Sequence, residues 1–195
     1  MTKAGCKKAP IDGLWVAVVR GFTLVELMVA MAVLAIVSVV AIPAFGNLIS
    51  SNRLNAQANE FLSAITYARS EAIRLNRNIV FCNTTDGATC NADTGVWTQW
   101  LVLDPGNGVL QTSLTLSNKV KVLSDAGMDN DTIVFTSMGL ARNAINNRLP
   151  LTSIIRVCLE ESAVNPNVRD LLVSSGGRAV INRSNNNGTC SRPEV

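Results

Sequence analysis

The sequence has no histidine and few aromatic or charged residues. Of its 195 residues, 5% are aromatic and 16% are charged. The absence of histidine excludes a histidine general base and a histidine metal ligand. No glycine-rich phosphate loop or nucleophile elbow is present either. We therefore expect a protein that is not an enzyme, with no catalytic residues and no cofactor.

The five cysteines give no support to a metal site. No CxxC pair occurs among them, so a zinc site would need thiolates alone at irregular spacing. No metal is expected.

What the sequence does contain is one long apolar run behind a basic segment. Residues 22–44 carry a single charge, on Glu26. At about 1.5 Å per residue these positions form roughly 34 Å of helix, enough to cross a bilayer. The preceding segment has four basic residues against one acidic residue, which keeps the N-terminus in the cytoplasm. We predict a single-pass transmembrane helix over 22–44, with the later part of the chain translocated.

The start of this run carries a specific motif. The run is too long for an ordinary secretory signal and has no small-x-small cleavage site, so it either stays as an anchor or is preceded by the cleavage point. Residues 21–26 read GFTLVE, which resembles the prepilin motif of type IV pilins and type II secretion pseudopilins. The resemblance implies that a prepilin peptidase removes a leader, 1–21, by cutting between Gly21 and Phe22. It also implies N-methylation of Phe22.

Glu26 is the expected assembly residue. A carboxylate inside a bilayer costs about 2.5 to 3.5 kcal/mol on insertion scales, so it indicates a function and a partner. The resemblance places Glu26 at mature position five and implies that its partner is the Phe22 amine of a neighbouring subunit. The alternative is a glutamate that snorkels into the headgroups.

Removal of the leader changes the charge balance. The leader holds four of the 17 basic and one of the 14 acidic residues, which leaves 13 of each. Overall charge therefore gives no argument for nucleic acid or acidic lipid as a partner. About 150 residues follow the apolar run, enough for one domain with its own core.

The translocated part contains four cysteines, namely Cys82, Cys90, Cys158 and Cys190. In an oxidising compartment they indicate two disulfides, for which the sequence allows three pairings. We favour Cys82 with Cys90 and Cys158 with Cys190 because each pair closes a local loop.

A second helical segment is predicted over 45–77. Pro43 is expected to kink or locally melt the helix before it. Beyond that point apolar residues recur in steps of three and four, which traces one helix face. The face consists of Leu54, Ala58, Phe61, Ile65, Ala68, Ala72 and Leu75.

After Asn76 the apolar period changes to two, which is typical of strands. Exposed loops are expected over 125–131 and 141–150, and a tight hairpin at Gly176–Gly177. The predicted fold class is α+β, with one long N-terminal helix packed against antiparallel sheets of a head over 78–195. The predicted strands are 79–82, 97–103, 109–116, 119–123, 132–136, 154–160, 169–174 and 178–182.

Four further segments indicate which subgroup of these pilin-like proteins the sequence resembles. They are 68–72, 97–108, 133–139 and Gly177–Arg178. Together they resemble the H-type pseudopilins of type II secretion and the FimT/FimU-like minor type IV pilins. This resemblance implies a pilin-like fold and a minor subunit that primes the assembly, or sits near the tip, of a type IV pilus or a type II secretion pseudopilus. The implied location is the bacterial inner membrane with a periplasmic head. The implied partners are other pilins or pseudopilins in a helical filament, the prepilin peptidase and an inner-membrane assembly platform.

An alternative function is DNA binding for natural transformation. Some FimT-like proteins bind DNA through a C-terminal Gly-Arg-x-Arg sequence, but here Gly177-Arg178 is followed by Ala179 and Val180. Arg183 could replace the second arginine, although its odd separation from Arg178 places the two on opposite faces of a regular strand. We favour solvated arginines at a sheet edge and keep DNA binding by Arg178 and Arg183 as the alternative.

Overall fold

The computed structural model describes residues 21–92, 94–146, 148–161 and 164–194, without the side chains at 40, 43 and 44. Apart from Gly21, the predicted leader lies outside the described residues. The chain divides into two units between Ile42 and Pro43, and each unit is described by itself.

One long helix, α1, extends from Leu24 to Leu75. Thr23 caps its start, because its hydroxyl oxygen accepts the Glu26 amide N–H at 3.2 Å. The end has the left-handed residue that often follows a helix, Asn76 with φ of 52°. The helix continues through position 43, so the predicted local melting is wrong, and the alternative of a kink at Pro43 stays a prediction. Proline removes only one backbone donor, and the hydrogen bonds on either side can persist.

Within the part of the chain that the structure describes, no helix combines the length and the apolarity of a membrane-spanning segment. The transmembrane helix over 22–44 stays a prediction from the sequence.

The described residues after α1 form nine strands in two antiparallel sheets. The first sheet has the order β3-β2-β1-β5-β6 and the second the order β4-β7-β8-β9. This arrangement confirms the predicted α+β fold class. The strands are β1 (Ile79–Thr84), β2 (Gln99–Asp104), β3 (Gly108–Thr112), β4 (Val120–Ser124), β5 (Thr132–Phe135), β6 (Ala141–Asn143), β7 (Ser153–Leu159), β8 (Val168–Val173) and β9 (Ala179–Ser184).

Strand β6 corrects the prediction of an exposed loop over 141–150. Ala141 pairs with Phe135 of β5 and is fully buried. Arg142 also bridges to Pro150. The segment becomes a strand because it completes the free edge of β5.

The predicted apolar stripe of α1 forms the centre of the core. Its first six residues, from Leu54 to Ala72, are fully buried, and Leu75 is half-buried. Phe61 packs edge-on against Phe81 of β1 and against Trp97, with ring centroids 6.2 and 5.5 Å apart. The stripe therefore positions the helix against the sheets.

Trp97 and Trp100 are both buried, at 2% and 3% exposure. The odd separation of the two residues would place their rings on opposite faces of the predicted strand over 97–103. Instead, Trp97 precedes β2 and donates its backbone N–H to Val122 of β4. Because the backbone leaves β2 at this point, both rings reach the same core.

The loop over 125–131 was also predicted to be exposed, and two of its three aspartates, Asp125 and Asp131, are instead buried. The Asp125 carboxylate accepts the backbone N–H groups of Gly127 and Ile154, both at 2.6 Å. The Asp131 carboxylate accepts the Gly95 N–H at 2.8 Å and the Ser124 hydroxyl. These bonds tie the loop to the strands around it, so the aspartates are structural rather than solvated.

Two tight turns, one from each sheet, meet over α1. The Arg69 guanidinium donates from Nε to the Gly139 carbonyl oxygen at 3.0 Å, and Gly177 lies against the same carbonyl. Both glycines have positive φ, 72° and 74°. A Cβ at Gly177 would collide with the Gly139 carbonyl oxygen. The predicted hairpin at Gly176–Gly177 is thus confirmed, and it joins the two sheets.

The two favoured disulfides are present in the structure. Cys82 of β1 pairs with Cys90 in the loop after it, and Cys158 of β7 pairs with Cys190 near the C-terminus. The second disulfide fixes the tail, in which the Ser191 carbonyl also accepts a hydrogen bond from Arg156 at 3.2 Å.

Gly177→Ala should lower the free energy of unfolding by about 1–3 kcal/mol, since alanine is strained at positive φ and its methyl group collides with the other turn. Urea denaturation of the full chain in a non-ionic detergent measures the change. Gly176→Ala is the matched control, because a Cβ there meets open space apart from one distant hydroxyl. Equal losses for the two variants would contradict the role of the Gly177 contact.

The disulfides should differ in their effect on stability because they close loops of different length. On the chain-entropy model, replacing Cys158 and Cys190 by alanine costs about 3.5–4 kcal/mol, against about 2.5 kcal/mol for Cys82 and Cys90. Cys82 and Cys158 are equally buried, so the cavity left behind is comparable. Denaturant midpoints of the two double variants test the order, and a larger loss for the shorter loop would contradict it.

Candidate functional site

The residues of the predicted prepilin motif lie at the start of α1. Gly21 and Phe22 precede the helix, and the Phe22 side chain is 82% exposed. The Thr23 cap makes the helix begin immediately after the predicted cleavage point. Gly21 and Phe22 therefore both lie outside helical structure, and both are exposed.

Glu26 lies in the first turn of α1 and is exposed. The free amide groups at a helix N-terminus favour a negative charge there. Within the described residues no lysine or arginine forms an ion pair with Glu26.

The apolar residues around Glu26 are uncovered on all sides of the helix. Every residue from 21 to 39 is exposed. A helix that is apolar all round is normally buried in lipid or among other helices. The exposed fractions of its large side chains range from 54% at Val33 to 82% at Phe22.

Arg178 and Arg183, the predicted DNA-binding residues, are both exposed, and the structure does not bring them together. Arg178 lies one residue before β9. Arg183, five positions later, lies on the side of β9 that faces α1, where it lines a cleft with Ile181. DNA binding by this pair stays a prediction without a shared surface to support it.

Arg169, to which the sequence patterns assign no role, lies beside Arg183. Arg169 on β8 is directly opposite Arg183 on β9 and is 2% exposed. Burial, followed by the charge of Arg183, lowers the pKa of the Arg169 guanidinium. The sequence did contain a signal for the pairing of Arg169 with Arg183. Both residues are seven positions from Gly176, so the predicted hairpin places them opposite each other.

Two family patterns match the sequence. The family described as type II transport protein GspH matches residues 57–190. The prokaryotic N-terminal methylation motif matches residues 17–42. No curated protein matches the chain significantly.

Among solved structures, the fold is similar to the type IV minor pilin FimU of Pseudomonas aeruginosa, strain PAO1. The identity is 19%, with a TM-score of 0.49 over 68% of this chain and 90% of that chain. It is also similar to the minor pseudopilin EpsH from the type 2 secretion system of Vibrio cholerae, at 10% identity and a TM-score of 0.46, over 67% of this chain and 97% of that chain.

The GspH match covers well over half of the sequence, including most of the second half of α1 and all nine strands. The methylation motif covers the apolar helix start. The chain therefore belongs to the family of type II transport protein GspH.

Proposed function

We propose that the chain is a minor subunit of a type II secretion pseudopilus or a type IV pilus, and that it acts in assembly by priming the filament or by occupying its tip. The observation that carries this proposal is the start of α1, where an N-terminal methylation motif coincides with a fully exposed apolar helix. Such an apolar surface is unfavourable in water. Lipid would bury it before assembly, and other helices would bury it after assembly. The function is structural, so we expect no enzymatic activity.

The same motif supports a sequence of processing steps. A prepilin peptidase cuts after Gly21, and the new amine of Phe22 is methylated. Before assembly the helix over 22–44 spans the inner membrane once, with the leader in the cytoplasm and the head in the periplasm, where an assembly platform collects it. Two disulfides in the head fit the oxidising periplasm.

Glu26 would then select and align the neighbouring subunit. In apolar surroundings a carboxylate without a cation is costly, and the methylated amine of Phe22 is a cation at the same end of the helix. If the Glu26 carboxylate binds the Phe22 amine of the next subunit, each charge neutralises the other. The ion pair would form only when the helices are packed side by side at the correct depth.

The N-terminus provides the first test. Mass spectrometry of the protein recovered from membranes of a cell with a prepilin peptidase should show a chain that begins at Phe22 and carries one additional methyl group. A strain without the peptidase is the control and should retain the leader. A chain that retains the leader in both strains would contradict the proposed processing.

Glu26→Gln should leave cleavage and membrane insertion intact but reduce incorporation into filaments severely, because the amide keeps the shape and loses the charge. The readout is the fraction of subunit in sheared filaments, measured by immunoblot against the membrane fraction. Glu26→Asp keeps the charge and should retain partial incorporation. Normal incorporation of Glu26→Gln would exclude the ion pair.

A further inference from the structure

A polar cleft lies between the second half of α1 and the edge strand β9. Its volume is about 170 Å³, far more than the share of one water molecule. It is separate from the exposed apolar start of α1 that carries the proposed function. Its lining consists of Asn55, Ala58, Asn59, Arg169, Ile181 and Arg183.

The charge of this lining is not balanced by an acidic residue. It contains two guanidinium groups and two amides, and no carboxylate. Arg169 and Arg183 occupy opposing positions on neighbouring antiparallel strands, so their side chains leave the sheet on the same face. Two like charges in that relation destabilise a sheet. A further interaction is therefore expected to offset the repulsion between the Arg169 and Arg183 guanidinium groups.

Arg169 is held in place by neutral groups only. Its Nε donates to the Asn55 side-chain oxygen at 2.9 Å, and its Nη1 donates to the carbonyl oxygens of Pro166 and Val168 at 3.0 and 2.8 Å. The described residues offer no partner to its Nη2. Arg169 as a whole residue is 2% exposed, and its guanidinium is oriented by three fixed hydrogen bonds, with donor capacity left over at the cleft.

The acidic residue nearest in sequence is already engaged elsewhere. Asp170 points to the other face of β8, where its two oxygens accept the Arg156 guanidinium at 2.7 and 2.9 Å. Among the described residues, neither Arg169 nor Arg183 forms an ion pair. Buried charges in proteins are normally paired, and here the fold fixes the cation without supplying the anion.

We propose that this cleft is a binding site for a single oxyanion group, a carboxylate or a phosphate, held between Arg169 and Arg183. A guanidinium presents two parallel N–H donors that match the oxygens of either group. The two amides of Asn55 and Asn59 provide further polar groups in the lining. Burial and the charge of Arg183 lower the pKa of Arg169, and an anion in the cleft would oppose that shift because it stabilises the charged guanidinium.

The test uses the full chain in a non-ionic detergent, with inorganic phosphate and acetate as separate probes. Chloride keeps the ionic strength constant, so that general screening does not change. A ligand that binds only the folded state raises the melting temperature with its concentration. We expect a saturable rise with one of the two anions, and the more effective anion identifies the chemical class.

Arg183→Gln should lower the affinity by about tenfold or more for the anion that raises the melting temperature, since one charged donor is lost. Arg183 is exposed, so this variant should fold. Arg178→Gln is the matched control, because it removes the same charge from the same edge of the sheet but outside the cleft, and its response should be unchanged. No rise with either anion, or equal weakening in both variants, would overturn the proposal.

One further variant, Arg183→Glu, supplies the missing carboxylate from the chain itself and is compared with Arg183→Gln. Arg183→Glu places an acidic side chain opposite Arg169, and its melting temperature without added anion should exceed that of Arg183→Gln. It should also no longer respond to phosphate or acetate. A lower melting temperature for Arg183→Glu than for Arg183→Gln would show that Arg169 does not need an anion in the cleft.

Discussion

The burial of one helical stripe is the constraint on which the rest of the head depends. Both sheets contact α1. The first does so through Phe81 and through Trp100, whose indole N–H donates to Glu60 at 3.0 Å, and the second through Arg169. Three of the seven stripe residues are alanines, which allows the sheets to approach the helix closely. The turns at Gly139 and Gly177 can meet over Arg69 because the helix holds both sheets at that distance.

Much of this fold could be predicted because its signals are local. The period of the apolar residues gave the helix face and eight of the strands, and loop closure favoured both disulfides. Strand β6 has only three residues, too few to show a period, and it exists because β5 has a free edge. The burial of Asp125 had no signal either, because its partners include Ser153 and Ile154, which are distant in the sequence.

The site residues also divide into those with a local signal in the sequence and those that depend on distant contacts. The motif around Gly21 and Glu26 is contiguous, so it could be recognised without any knowledge of the fold. Arg169 and Arg183 become neighbours only when the hairpin fixes the register of β8 and β9. That register follows from the Gly176–Gly177 turn, but the burial of Arg169 also depends on Asn55 of α1, 114 residues earlier. No pattern within β8 or β9 contains that contact.

The uniform apolar surface at the start of α1 limits what this segment can specify. A cylinder that is apolar on every side buries nearly the same area whichever way it is rotated, so packing alone sets neither its azimuth nor its depth. Within the described part of this segment, Glu26 is the one charged residue, so it alone distinguishes one rotation and depth of the helix from another by its charge. If the proposed ion pair forms, it depends on the correct alignment of a neighbouring helix, but it carries little information about which neighbour is present. Discrimination between partner subunits then falls to the surfaces that differ in shape and charge, which are the strands, turns and loops of the head.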